Sequence, residues 1–192
     1  MRVTLVGVVD SDTALHFPDF RASERTFHLI TQVAGRTGRS SRGGRVIIQT
    51  SSPDHPAILA AAKHDYDGFV RQELPVRKLL GYPPYCRMVR IVVRSEMEAN
   101  ALEFAKMLAE KLRSAFQTKP QSSQSNSFGL APVILGPAPC HLSKLRNFYR
   151  FHIHLRCESG EYLREAIRLV SNAIKTPAEV QWIVDVDPVD ML

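Results

Sequence analysis

Residues 149–156 alternate without a break: Tyr149, Phe151, Ile153 and Leu155 take every second place, and Arg150, His152, His154 and Arg156 take the places between. A period of two sends successive side chains to opposite sides of a pleated strand. This stretch is therefore a strand with one apolar face for a core and one basic face turned from it. The sequence on either side builds on that strand. Val89, Ile91 and Val93 alternate with Arg90 and Arg94, a second strand of the same kind. Ser95 and Glu98 have the spacing of a capping box, and Leu102, Ala105, Leu108, Leu112 and Phe116 follow at helical spacing. Residues 133–135 read as a short strand, and Gly136-Pro137-Ala138-Pro139 as a turn into a basic loop. After the alternating strand, Leu163, Ala166, Ile167, Val170 and Ile174 line one side of a helix, and residues 180–186 form a last strand. The order β-α-β-β-α-β predicts the split βαβ arrangement of a ferredoxin-like sandwich over residues 87–192. Residues 117–128 (QTKPQSSQSNSF) are polar and aperiodic, a loop.

The first part of the chain follows a different rule. Residues 3–9 are nearly all apolar and β-branched, as in a strand buried on both faces of a parallel sheet. Ser23 can cap a helix carrying Phe27, Ile30 and Ala34, which Gly35 ends, and residues 46–50 form a second strand. One α/β unit in residues 1–50 is too small for a domain, so more chain is expected before it. Residues 51–86 read as a helical connector. Pro56 suits a first helical position, Tyr66, Phe69, Val70 and Leu74 line a face until Pro75 interrupts, and Pro83-Pro84 stops helix. The net charge of +6 favours polyanionic partners. Three cysteines without disulfide or CxxC spacing fit a reducing cytoplasm. No stretch approaches the roughly 20 apolar residues of a membrane span, so no membrane partner is expected.

The sharpest local motif is Gln32-Val33-Ala34-Gly35-Arg36-Thr37-Gly38-Arg39. Two arginines three residues apart, with glycines that allow close backbone approach, can meet one anionic target and bind its oxygens bidentately. Stabilising a transferring phosphoryl group needs that chemistry; a basic glycine-rich surface turn is the plain alternative. These residues match the QxxGRxGR pattern of motif VI in superfamily 2 helicases. With the preceding PheProAspPheArgAlaSerGlu, the stretch resembles the PriA family of primosomal replication-restart helicases. Further matches run through Glu73, Leu74, Arg77, Tyr82, Pro83 and Pro84, the LeuGlyProAlaPro of 135–139, Leu145-Arg146, Tyr149-Arg150, and the ValAspValAspPro of 184–188.

The resemblance implies an incomplete RecA-like lobe 2 in residues 1–50, followed by a C-terminal domain like a small ribosomal-subunit protein. It implies that Arg39 is the principal finger toward the γ-phosphate of ATP held with magnesium on another lobe. Arg36 would stand beside it, Gln32 would orient the phosphate or the attacking water, and Gly35 and Gly38 would line the nucleotide. The chain carries no GxxxxGK[ST] and no DExH box, so alone it is not expected to bind or hydrolyse ATP. The family's zinc cysteines would lie upstream. The parent would be an ATP-driven 3′ to 5′ DNA helicase that recognises abandoned replication forks and starts primosome assembly. Its implied partners are branched or forked DNA, the acidic tail of single-stranded-DNA-binding protein and other primosome proteins. A stand-alone, non-catalytic nucleic-acid or protein-binding module is the alternative.

Asp10 and Asp12 end the first strand, where open α/β sheets place ligand crevices, so Asp12 is a nucleotide candidate; a loop-capping aspartate is the other reading. Lys144, Arg146, Arg150 and Arg156 can track a phosphate backbone, with Phe148 stacking on an unpaired base; a solvated sheet face is the alternative. Arg164 is the candidate for the acidic partner peptide. Cys140, His141, His152, His154 and Cys157 do not make a metal site, because alternation puts His152 and His154 on one strand face and Cys157 on the other.

Overall fold

The computed structural model describes residues 4–37, 44–118, 132–189 and 191. The chain divides into two units, Met1–Val76 and Arg77–Leu192.

In the first unit, β1 (Leu5–Val8) pairs in parallel with β2 (Arg45–Ile48), Leu5 opposite Arg45 and Val8 opposite Ile48. The one-turn helix α1 (Asp12–Leu15) and the long helix α2 (Ala22–Thr37) lie between them in sequence. The expectation of a strand buried on both faces does not hold: Leu5 and Ile47 are more than half exposed. The two-stranded sheet described here lacks the second layer that would cover both sides. Helix α2 also outruns its expected end, because Gly35 sits inside the last turn and Thr37 closes it by donating its hydroxyl to the Ala34 carbonyl at 2.8 Å. Its start is fixed by Asp19, whose buried carboxylate accepts from the Arg21 backbone N–H at 2.9 Å and pairs with Arg25 at 2.9 Å. Helix α3 (Pro56–Ala62) begins at a proline, and the His55 ring accepts from the Ala57 N–H at 3.2 Å. Leu15, Phe27, Ile30, Ile58 and Phe69 form the core of this unit, with the Phe27 and Phe69 rings stacked 4.7 Å apart. Helix α4 (Tyr66–Leu80) is not broken at Pro75 as expected. A proline removes one ladder bond, which a helix of four turns survives; the division between the units falls one residue later.

The second unit is built on β3 (Arg87–Ser95), which pairs antiparallel with both β5 (Phe148–Cys157) and β6 (Val180–Val186). An edge strand, β4 (Val133–Leu145), pairs with β5 and completes the order β4-β5-β3-β6. Two helices, α5 (Glu98–Thr118) and α6 (Gly160–Ala173), join the strands in the order β-α-β-β-α-β. This is a four-stranded antiparallel sheet with helices against one face, and its strand order is that of the split βαβ unit. Leu108, Leu112 and Ala105 of α5 and Leu163, Ile167 and Val170 of α6 bury the apolar positions Val89, Ile91, Val93, Phe151, Ile153 and Leu155. The Ser95 hydroxyl accepts from the Met97 N–H at 3.3 Å, and Ser159 caps α6 through the Tyr162 N–H at 3.2 Å.

Residues 136–145, expected as a turn and loop, belong instead to β4. The strand absorbs Gly136-Pro137-Ala138-Pro139 through register shifts between Leu135 and Ala138 and between Pro139 and Lys144. Prolines lack the donor a central strand needs, and an edge strand with bulges tolerates them. Of the expected loop 117–128, α5 takes residues 117 and 118; the remainder lies outside the described residues.

Because Leu108 is fully buried between α5 and the sheet, Leu108→Ala is expected to destabilise the chain by about 2–5 kcal/mol through lost burial and a residual cavity. Urea unfolding of the two proteins measures this, and a loss below about 1 kcal/mol would contradict the packing described.

Candidate functional site

Gln32, Gly35 and Arg36 occupy the last two turns of α2, and all three are exposed. Their spacing of three and four residues puts them on one stripe of the helix. An added Cβ at Gly35 would meet nothing within 4 Å, so this stripe is open to a ligand. Gly38 and Arg39 lie outside the described residues. Asp12 is already engaged: its carboxylate accepts from the Thr50 hydroxyl at 2.8 Å and from the Ser51 N–H at 2.7 Å. The Ser51 hydrogen bond is the main cause that holds its pKa below the usual carboxylate range. The carboxylate thus ties the loop after β1 to the loop after β2. Asp10, at φ 54°, accepts from the backbone and hydroxyl of Thr13.

In the second unit the face of the sheet away from the helices carries Phe148, Arg150, His152, His154 and Arg156 of β5. Register adds two arginines of β3 to the same face, Arg94 opposite Arg150 and Arg90 opposite His154. The alternation in both strands was visible in sequence, but their register was not. Arg94 lies over the Phe148 ring at 5.1 Å, and Lys144 over the Tyr149 ring at 4.5 Å. Arg146 is exposed at the tip of the β4–β5 hairpin, and Arg150 donates to the Leu142 carbonyl at 3.5 Å. Lys144, Arg146, Phe148 and Arg150 therefore share one hairpin. Arg156 sits at its far end and has structural work: its guanidinium donates to the Leu80 carbonyl at 2.8 Å and covers the Tyr82 ring at 4.8 Å.

The closing acidic residues, for which sequence offered no chemistry, pair with β3. Asp185 meets Arg90 at 3.4 Å, and Asp187 meets Arg87 at 3.3 Å while accepting from the Met88 N–H. Arg164 stands apart from the hairpin. With Arg87, Ser159, Glu161 and Asp187 it lines a cavity of about 480 Å³ at the start of α6. Gly160 also lines it, and a Cβ there would come within 3.2 Å of the Arg87 side chain. Among the described residues no group of three or more His, Cys, Asp or Glu is placed to hold a metal, and no helix is long and apolar enough to cross a membrane.

His152 and His154 stack with ring centroids 4.4 Å apart. Burial, then the neighbouring His152, Arg90 and Arg156, pushes the His154 pKa down to about 4 from an ordinary 6.5. Its Nε2 is buried without a hydrogen-bond partner. The unfolded chain takes up this proton near pH 6.5, whereas the fold resists it until about pH 4. Stability from this source is therefore whole above 6.5 and falls as the pH drops through that window. Urea midpoints of the chain and of His154→Phe, measured from pH 7 to pH 4, should show a shallower decline in the variant; parallel curves would contradict the assignment.

The family profile described as "Primosomal protein N C-terminal domain" matches residues 78–189. Proteins called "Replication restart protein PriA" are similar to the chain along nearly all its length. That of Treponema pallidum (strain Nichols) is 40% identical over 188 residues, covering 98% of this chain and 27% of the relative. That of Synechocystis sp. is 36% identical over 193 residues (99% and 21%), and that of Bacillus subtilis (strain 168) is 33% identical over 193 residues (99% and 22%). The chain spans about a quarter of the length of these curated relatives. It belongs to the primosomal protein N C-terminal domain family.

Proposed function

We propose that this chain serves replication restart as the DNA- and partner-binding end of an ATP-driven DNA helicase, to which it also contributes arginine fingers. The observation that carries the DNA reading is the hairpin face. From Val133 to Cys157 the sequence contains no Asp or Glu, while Arg150 and Arg94 share the face of Phe148, and Lys144 and Arg146 stand on the same hairpin, Lys144 over the Tyr149 ring. Such a face attracts phosphates along a track and offers an aromatic ring beside it. Residues 87–192 are the module that meets branched DNA, and the split βαβ topology fits the ribosomal-protein-like character the family resemblance implies.

In the same proposal residues 1–50 are the end of a RecA-like lobe, with residues 51–86 connecting. The parallel β1–β2 pair and the exposed stripe of Gln32, Gly35 and Arg36 support this. These residues suit contact with a triphosphate held, with its magnesium, by another lobe. ATP would supply the free energy for strand separation, while Arg39 and Arg36 neutralise charge developing on the γ-phosphate and Gln32 orients the group it faces. Asp12 acts by tying the loop after β1 to the loop after β2. Arg164, in a cavity that also holds Glu158, Glu161 and the Arg87–Asp187 ion pair, offers its guanidinium to a carboxylate-bearing peptide such as the tail of single-stranded-DNA-binding protein.

In the intact protein, Arg39→Ala is expected to lower DNA-stimulated ATP turnover by about 1,000-fold or more while leaving fork binding unchanged. Turnover within about tenfold of the parent would overturn the finger assignment. Lys144→Ala with Arg150→Ala should weaken binding of the chain to all DNAs and reduce the slope of log affinity against log salt by about one to two. An unchanged slope would place the phosphate contacts elsewhere.

A further inference from the structure

The β4–β5 hairpin ends in a feature that phosphate attraction does not explain. Arg146 and Asn147 form its turn with φ of 50° and 68°, the positive values a two-residue type I′ turn requires. Leu145 pairs with Phe148 across it. Directly opposed residues share a face, so Leu145 lies on the side that carries Arg150 and Arg94. It is 45% exposed, and Leu142, in the bulged stretch whose carbonyl takes the Arg150 guanidinium, is 51% exposed. Two exposed leucines thus stand at the outer end of a strip of cations with no carboxylate in either strand of the hairpin.

We propose that this hairpin tip is an apolar wedge, in which Leu142 and Leu145 seat against the terminal base pair where duplex DNA opens into single strands. The inference rests on the DNA reading above and deepens it. Apolar side chains enter nucleic acid by unstacking base steps, and they do so where cations hold the adjacent phosphates. Arg146 and Arg150 flank the leucines on a turn of fixed geometry. A linear duplex presents no such exposed base pair along its length, so the leucines add affinity for a junction while the arginines add it for any DNA. A protein partner fits less well, because a complementary surface would have to satisfy an acid-free ring of cations around only two leucines.

The test uses the full chain and two DNAs of equal length, a fork with 2-aminopurine in the first base pair of its duplex arm and a linear duplex with the same base inside. For the chain itself, the fork should bind more tightly and its 2-aminopurine fluorescence should rise on binding. In Leu142→Ser/Leu145→Ser the fork preference should fall about tenfold and the rise should vanish, with linear-duplex affinity within about twofold. Leu142→Met/Leu145→Met should keep both signals, and thermal melts should show all three proteins equally folded. A serine variant that retains fork preference and the fluorescence rise overturns the wedge while leaving DNA binding intact. Absence of binding to either DNA overturns the DNA reading itself. Self-association of the free chain that the serine variant loses would overturn the wedge in favour of a second copy as occupant.

Discussion

Everything in the second unit depends on β3 lying between β5 and β6 with its alternate residues divided between two environments. Val89, Ile91 and Val93 are almost fully buried on the helix side, each opposite an apolar residue of β5. Burial of such side chains contributes roughly 1.5–3 kcal/mol apiece, and a slip of one residue would reverse every one of them. The same register decides the other face, since it sets Arg90 against Asp185 and His154, and Arg94 against Arg150. The core therefore fixes the geometry of the charged surface, and no residue of that surface has to determine its own position.

That surface is graded along the strand. At one end Arg90 is 12% exposed and paired with Asp185, and Arg156 is bonded to backbone carbonyls. Burial keeps His154 neutral between them, which limits the positive charge packed into a small volume. Toward the hairpin tip, Arg150 is partly exposed and Arg146 is open to solvent, as is Lys144 on the neighbouring strand. Paired, partly buried cations hold the sheet together, and open ones remain for a polyanion. A basic composition alone does not separate these two roles; the exposure of each guanidinium does.

Much of this was legible in the sequence because period-two and period-3.6 patterns are imposed by burial, which the second unit has in abundance. The four strands, both helices and the ends of the last strand follow from residues such as Ile153, Leu108 and Ile167. What sequence missed was non-local or irregular. The span of β4 depends on bulges that hide its alternation, and Pro75 and Gly35 are local breaker residues that neighbouring turns carry each helix past. The pairing of Asp185 and Asp187 with Arg90 and Arg87 links residues nearly a hundred positions apart, and no local pattern announces it. In the first unit, QxxGRxGR was conspicuous as a motif. The stripe formed by Gln32 and Arg36 is the part of it that the described helix presents.

Side-chain hydroxyl-radical footprinting of the chain with and without forked DNA tests the division of the sheet into a core face and a binding face. Leu142, Leu145 and Phe148 should lose reactivity on binding, while Leu169 of α6, 47% exposed, and Met97 beside α5, 62% exposed, should react as before. Protection of Leu169 and Met97 with an unchanged hairpin would contradict the account.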